Sequence, residues 1–184
     1  MQNMIYWNKS EEGRFLEKEN THCVGLSPSV DQRSEILVLG SMPGAASLAA
    51  QEYYAHPSNR FWPLMARLLD EPEVPADYPK RLDMLLRHHI ALWDAIDTCD
   101  RVGSLDSDIR NAKANDFTAF LKKWPSIRTI GLNGGKAYAT FAKSNQPLLS
   151  RPDLRILKLP STSPANARWR MENLFDAWRV LLRA

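Results

Sequence analysis

Four short apolar runs separated by helical patterns constrain the fold more than any other feature of this chain. The runs with strand character cover Ile36–Leu39, His89–Trp93, Arg128–Leu132 and Arg155–Leu159. Strands that alternate with helices join through right-handed crossovers into a parallel sheet with helices on both faces. We therefore expect an α/β fold with three layers, α/β/α, around a central four-stranded parallel sheet.

Five helices are predicted between and after these runs. Apolar residues at i, i+3 and i+4 spacing mark the first two, and capping residues, glycine and proline bound the others. The predicted helices contain Leu64–Leu69 and Leu82–Leu86, run from a cap at Asn115 to Lys123, and cover Gly135–Lys143 and Ala167–Arg183.

The length and composition indicate one globular domain, and we expect it to carry no cofactor. With 184 residues, a single core is expected over residues 35–184, and residues 1–34 are expected to be an extension that is either docked or partly disordered. A net charge of +3 permits nucleic-acid binding without requiring it. Cys23 and Cys99 lack CxxC spacing, which argues against a metal cluster and favours reduced thiols in an intracellular, cytoplasmic protein. No apolar stretch approaches the ~20 residues that span a bilayer.

Small polar residues, glycine and proline concentrate just behind the predicted strands. These segments are Gly40–Gly44 (GSMPG), Trp93-Asp94, Asn133-Gly134-Gly135 and Pro160–Asn166 (PSTSPAN). All strands of a parallel sheet end on the same side, so the four segments must converge on one edge. Open α/β sheets bind their ligands at that edge.

The same segments resemble a known family of enzymes. GSMPG followed by YYAHPSNRFW resembles the first motif of the uracil-DNA glycosylase superfamily, and more narrowly its hypoxanthine-DNA (deoxyinosine) glycosylase branch. ALWD running to GSLDS, then GLNGG and LPSTSPAN, fit that branch in order from about Glu35 to the C-terminus. The resemblance implies the same three-layer fold and a DNA substrate that contains a deaminated base. No lysine is placed like a Schiff-base nucleophile, so we expect a monomeric, monofunctional glycosylase that leaves an abasic site in base excision repair.

Two residues are predicted to take part in catalysis. In many relatives the third residue of the first motif is an Asn or Asp that positions water, but here it is Met42, whose thioether cannot orient water. The resemblance points to Asn59 in its place, although Asn59 could also cap the following helix. His56 is either a catalytic support or a histidine that braces its loop.

The pocket for the base is predicted to involve Ser41, Met42, Gly44, Tyr54 and Asp94. Relatives place a stacking aromatic side chain at the position of Tyr54, and we expect one of Tyr53 and Tyr54 to point inward and the other toward the ligand. An ionised Asp94 could accept the N1–H of hypoxanthine and reject adenine, which has no hydrogen there. A buried salt bridge or a helix cap is an equal alternative for Asp94.

The phosphate backbone is predicted to meet Asn133 and the loop before the last helix. Asn133 precedes two glycines at a helix start, which suits an anion site, although the glycines could serve packing alone. The loop is expected to grip the DNA backbone and, by resemblance, to fill the gap that the flipped base leaves. Its predicted DNA-binding residues are Ser161, Thr162, Ser163, Pro164, Ala165, Asn166 and Arg168.

Two other functions remain open at the level of sequence. Excision of uracil or another deaminated base would use a similar pocket. A catalytically silent DNA- or nucleotide-binding module is a second alternative, because Met42 occupies the usual water-positioning place.

Overall fold

The structure is a computed structural model that describes residues 6–9, 15–18 and 21–183. Nine strands are described: β1 (Tyr6–Lys9), β2 (Phe15–Lys18), β3 (Thr21–Val24), β4 (Ile36–Gly40), β5 (Ile90–Asp94), β6 (Ile96–Arg101), β7 (Arg110–Ala114), β8 (Thr129–Asn133) and β9 (Arg155–Leu159). The described helices are α1 (Ala45–Ala50), α2 (Phe61–Leu68), α3 (Tyr78–Arg87), α4 (Phe117–Lys123), α5 (Gly135–Ser144), α6 (Gln146–Leu149) and α7 (Met171–Trp178). Short 3-10 helices cover Asp106–Asp108 and Arg179–Leu182.

Strands β4, β5, β8 and β9 form a parallel sheet in the order β5-β4-β8-β9. Gly40 at the end of β4 pairs with Asp94 at the end of β5, and Asn133 at the end of β8 pairs with Leu159 at the end of β9. The predicted four-stranded parallel sheet is therefore confirmed, with each strand within one residue of its predicted start. All four strands end on one edge, as expected.

Successive residues of each central strand point to opposite faces of the sheet, which gives the molecule three layers. Val38 and Leu92 face one apolar core together with α2, α3 and α7. Leu37 and Leu39 face a second core together with α4, α5 and α6. Burial on both faces explains why these strands read as continuous apolar runs in the sequence.

A second sheet, which the sequence did not predict, extends the molecule beyond β5. Strands β3, β6 and β7 are antiparallel in the order β3-β6-β7. Only Ala95 separates β5 from β6, so the chain passes directly from one sheet to the other. Strand β7 is mostly exposed and carries polar residues, and it therefore lacks the apolar signal of a strand.

Strand β3 lies within residues 1–34, the predicted extension, and the segment that follows it is tied to the central sheet. Ser29 forms a bridge with Leu92, and the Trp93 indole donates a hydrogen bond to the carbonyl oxygen of Leu26. Residues 1–5, 10–14 and 19–20 of the predicted extension lie outside the described residues.

Two predicted helix boundaries were wrong. The cap of α4 is Asp116, whose Oδ1 accepts the Ala119 N–H at 2.9 Å, whereas Asn115 donates its side-chain amide to the carbonyl oxygen of Asp94. The last helix begins at Met171 instead of Ala167. The carbonyl of Trp169 is used by Arg60 from another part of the chain, so this segment stays a loop.

Candidate active site

A cleft of about 1000 Å³ opens at the carboxyl edge of the central sheet. Every residue that the sequence predicted for the site lines this cleft: Ser41, Met42, Gly44, Tyr54, His56, Asn59, Asp94, Asn133, Ser161, Thr162, Ser163, Pro164, Ala165, Asn166 and Arg168. Parallel strands bring these segments together although up to 127 positions separate them along the chain (168 − 41).

The floor of the cleft is built where Gly40, Asp94 and Tyr54 meet. A side chain at Gly40 would clash with Asp94 Oδ1 and would place its Cβ 3.1 Å from the Tyr54 hydroxyl. The absence of a side chain at Gly40 therefore lets the carboxyl group and the phenol share the end of the sheet.

Asp94 is a buried carboxyl group with an unpaired oxygen. Its residue is 3% exposed, and Oδ2 is buried without a hydrogen-bond partner among the described residues. The pKa of Asp94 is raised to about 7, first by burial and then by the negative charge of Asp106, while the positive charge of Arg101 opposes the rise. Strand β6 follows Asp94 after a single residue, so no helix begins there for this side chain to cap.

Arg101, which the sequence analysis did not single out, lies buried beneath the GSMPG turn. Its Nη2 donates to the carbonyl oxygen of Pro43 at 2.5 Å. Its Nε and Nη1 are buried and have no partner within the described part of the chain. Arg101 is thus a buried positive charge that supports the turn and acts on Asp94 through space rather than through an ion pair.

The GSLDS segment (Gly103–Ser107) closes against the GSMPG turn. Ser41 Oγ donates to Asp106 Oδ1 at 2.6 Å, and the Ala45 N–H donates to Ser104 Oγ at 2.9 Å. These two contacts fix the shape of the turn at the start of α1. Sequence analysis assigned no role to this segment because both partners are about 60 residues away from it.

Met42 packs into a third apolar cluster with Cys23, Ile96, Cys99 and Ile109. Its residue is only 6% exposed. The side chain thus contributes to the core under the second sheet while lining the cleft. This packing explains how the turn accommodates a thioether at position 42.

Tyr53 and Tyr54 point in different directions. Tyr53 is buried and donates its hydroxyl toward the carbonyl oxygens of Leu26 and Ser27. Tyr54 is half-buried at the cleft, with its ring stacked on Phe61 at a centroid distance of 4.0 Å. A positive φ of 53° at Tyr54 gives the chain the turn that separates the two rings.

Asn59 belongs to a hydrogen-bond network that joins three parts of the site. Its Oδ1 accepts the Phe61 N–H at 3.0 Å and the Thr162 hydroxyl at 3.1 Å. Thr162 in turn accepts from Asn133 Nδ2, which also donates to the Tyr54 hydroxyl. The Nδ2 group of Asn59 has no acceptor among the described residues, so the network fixes the amide and leaves its donor for a ligand or water.

Helix α2 begins at Phe61, and Arg60 is its cap position. Pro63 therefore lies within the first turn, where its missing N–H leaves no bond unmade. His56 stabilises the turn before this helix, since its Nδ1 accepts the Ser58 N–H at 3.2 Å and its carbonyl oxygen accepts the Asn59 N–H at 2.8 Å.

Thr162 and Asn133 are buried, at 0% and 8% exposure. All of their side-chain hydrogen bonds in the described structure go to other protein groups. Contact with DNA through these two side chains, which the sequence predicted, is at odds with this burial. Ser161 and Ser163 are half-buried, and Pro164, Ala165 and Arg168 are exposed at the rim.

Arg60 holds the whole loop before α7, and the sequence analysis missed this role. Its guanidinium donates to the carbonyl oxygens of Thr162, Ser163, Asn166 and Trp169. We define Thr162–Trp169 as the clamped loop. Arginine suits this task because its rigid, planar head offers five donors.

Gly134 allows Ser161, just before the clamped loop, to approach the end of β8. It has a φ of +99°, and a Cβ there would lie 2.9 Å from the Cβ of Ser161. Its N–H donates to the carbonyl oxygens of Leu132 and Leu159. Gly134 therefore permits the close approach of Ser161, and its N–H is already bonded within the protein.

Comparison with known proteins agrees with this geometry. A sequence profile described as the Uracil DNA glycosylase superfamily matches residues 27–182. The chain belongs to the uracil DNA glycosylase superfamily. It is 35% identical over 159 residues to a protein named hypoxanthine DNA glycosylase from Methanosarcina acetivorans, an alignment that covers 86% of this chain and 97% of that protein.

Two further comparisons support the same assignment. A protein from Methanosarcina barkeri, also named hypoxanthine DNA glycosylase, is 33% identical over 78% of this chain and 88% of its own length. A solution NMR structure from M. acetivorans, provisionally described as a uracil DNA glycosylase, superposes with a TM-score of 0.72 at 34% identity and covers 89% of this chain and 100% of that one. The expected superfamily and its fold are thereby confirmed.

Two physical properties of this superfamily member complete the description. In the described ranges, no helix is both long and apolar enough to cross a bilayer. Within the same ranges, no three His, Cys, Asp or Glu side chains come close enough together to hold a metal ion.

Proposed function

We propose that the chain is a monofunctional DNA glycosylase that excises hypoxanthine from DNA and leaves an abasic site. The observation that carries this proposal is Asp94, whose unpaired, buried carboxyl group lies on the floor of the cleft in a chain that is similar to proteins named hypoxanthine DNA glycosylase. Burying a carboxyl group without a partner is costly, and a ligand that donates a hydrogen bond to it would offset the cost. Hypoxanthine donates N1–H, whereas adenine carries no hydrogen at N1.

The target base must leave the double helix before it can enter the cleft. Extrusion costs a few kcal/mol and is cheapest for a poorly paired base, such as hypoxanthine opposite thymine. Tyr54 offers an aromatic side chain at the cleft, held in place by its stacking on Phe61 and by Asn133. Aromatic stacking accepts any base, so selection falls to Asp94.

Asn59 positions the attacking water at the sugar. Its Oδ1 is committed to Phe61 and Thr162, so the free NH₂ group donates to the water oxygen and leaves a lone pair for attack. A neutral amide is a weak base. Most of the acceleration then comes from positioning and from stabilising the negative charge that develops on the leaving base. We infer that backbone N–H groups of the Gly40–Gly44 turn, beneath which Arg101 is buried, supply that stabilisation.

The reaction needs no metal or other cofactor, and the protein acts as a monomer on DNA in the cytoplasm. The test is a panel of duplex oligonucleotides that contain hypoxanthine, uracil or xanthine, each assayed with and without EDTA. We expect hypoxanthine to be released in both conditions and the strand to break only after alkali. Loss of all release on chelation would overturn the metal-free mechanism, and strand breakage without alkali would overturn the monofunctional assignment.

Uracil excision is the second candidate, favoured by the NMR relative described as a uracil DNA glycosylase. The same panel distinguishes the two, because preferential release of uracil would replace hypoxanthine as the substrate. A protein that binds these oligonucleotides and releases no base would be the silent binding module.

A further inference from the structure

Leu105 is a large apolar side chain exposed on the rim of the cleft. It is 54% exposed, yet it lines the same cleft as Asn59 and Asp94. It belongs to none of the three apolar cores. Leaving such a side chain exposed forgoes part of the free energy of its burial, although single exposed leucines are common on protein surfaces. Its place on the rim and the way it is held set this one apart.

Hydrogen bonds hold the backbone on both sides of Leu105. Ser104 Oγ accepts the Ala45 N–H, and Asp106 Oδ1 accepts the Ser41 hydroxyl. The side chains before and after Leu105 are therefore fixed to the GSMPG turn and to the first residue of α1. The Leu105 carbonyl oxygen accepts the Asp108 N–H at 3.1 Å. The side chain therefore lies on a loop that is already ordered, so little conformational entropy of the loop is lost when Leu105 contacts a partner.

The other rim of the cleft carries Trp169, but this side chain is half-buried and packs against the first apolar core. The clamped loop presents Ser163, Pro164, Ala165 and Arg168 there, which suit contacts with phosphates. Proteins that unstack DNA insert Phe, Leu, Ile, Met or Pro between bases. Among the described residues of these types that line the cleft, Leu105 is the one with a long and exposed side chain, and it lies on the rim opposite the clamped loop.

We propose that Leu105 is the wedge that enters the base stack when the target nucleotide leaves it, and that the clamped loop holds the phosphates. The proposal rests on the proposed function, and it moves the gap-filling role from the loop Pro160–Asn166 to the GSLDS segment. A side chain that fills the vacated space raises the fraction of duplex DNA molecules in which the target nucleotide is extruded. It gives no advantage on a single strand, where no base pair has to be broken.

The test compares Leu105→Ala with two controls. Leu105→Met keeps a long apolar side chain, and Leu149→Ala removes a leucine of similar exposure, 41%, from α6, which does not line the cleft. We expect Leu105→Ala to slow single-turnover excision from duplex DNA about tenfold or more, the effect of losing ~1.4 kcal/mol. Excision from single strands should change less than twofold, and both controls should behave like the wild type.

A second readout does not depend on bond cleavage. A 2-aminopurine placed beside the lesion brightens when its stacking is disturbed, and Leu105→Ala should reduce the brightening that follows binding. Equal rates for Leu105→Ala and wild type on duplex DNA, or equal slowing on duplex and single strands, would overturn the wedge. If the wild type releases no base at all, the proposed function fails, and unchanged brightening in Leu105→Ala would separately overturn the wedge.

Discussion

Asn59 uses one side-chain oxygen for the protein and keeps its NH₂ group for the cleft. We predict that Asn59→Ala lowers the single-turnover rate about a hundredfold or more, because a group that positions water in the transition state is lost. DNA affinity should stay close to that of the wild type. Single-turnover kinetics and fluorescence anisotropy measure the two effects separately.

The control for Asn59 is another residue that supports a helix start. Asp116→Ala removes a side-chain bond to a backbone N–H at the start of α4, a loss of about 1 kcal/mol of stability, without touching the cleft. Its excision rate should equal that of the wild type. If Asn59→Ala also turns over normally and merely unfolds at a lower temperature, Asn59 is a structural residue.

Asp94 should make both stability and activity depend on pH. Its pKa is about 7 when folded and 3.8 in the reference state, so the folded protein binds more protons between these values and loses stability as the pH rises from 4 to 7. We predict that Asp94→Asn gains thermal stability over the wild type across this window, by a few kcal/mol at most. Melting curves at several pH values measure it, with Asp83→Asn on the exposed side of α3 as control.

The rate of excision should report the same carboxyl group. If the carboxylate accepts N1–H, hypoxanthine excision by the wild type rises as the pH passes through 7, and Asp94→Asn flattens that rise. A wild-type rate that falls through pH 7 would mean that the protonated acid is the working form.

At the scale of elements, one guanidinium determines the path of the clamped loop. Arg60→Ala removes donors to four carbonyl oxygens, and we predict faster hydrogen exchange in residues 162–169 and a weaker affinity for duplex DNA. Arg67→Ala is the matched control, because Arg67 is an exposed arginine on α2, the helix that Arg60 precedes. Unchanged exchange in Arg60→Ala would show that Gly134 and the Asn59 network suffice to hold the loop.

The sequence predicted the elements that bury apolar residues at a clear period. Strand β4, buried along most of its length, was visible as an apolar run, whereas β3 and β7 were not, since Cys23 is the buried residue of the first and the second is exposed. Helix α7 was predicted to be too long because its apolar period continues into residues that bond to a distant arginine.

Motifs predicted which residues reach the cleft but not how each side chain is used. The burial of Thr162 and Met42 depends on partners that the fold brings together from distant parts of the chain. The role of Arg60 was invisible for the same reason, because its acceptors are main-chain atoms more than 100 residues away. The residue types in a sequence do not show which main-chain carbonyl groups accept a hydrogen bond.

At the scale of the whole molecule, the net charge of +3 is small, so the positive side chains that bind DNA must lie close to the cleft. Lys158 and Arg168 are exposed and line the cleft. If each neutralises one phosphate, Lys158→Ala with Arg168→Ala should lower the salt dependence of duplex affinity by up to about two phosphate contacts. Titrations at several salt concentrations measure the slope, and Lys122→Ala with Lys123→Ala on α4 should leave it unchanged.

The attachment of Arg60 to carbonyl groups also affects how this enzyme can change over generations. Every amino acid, proline included, carries a carbonyl oxygen, so a mutation at Ser163, Ala165 or Arg168 alters the surface offered to DNA without removing an acceptor from the guanidinium. Single substitutions in the clamped loop can therefore accumulate during evolution while the loop keeps its backbone conformation. The arginine itself has no such freedom, and we expect the loop to diversify around it.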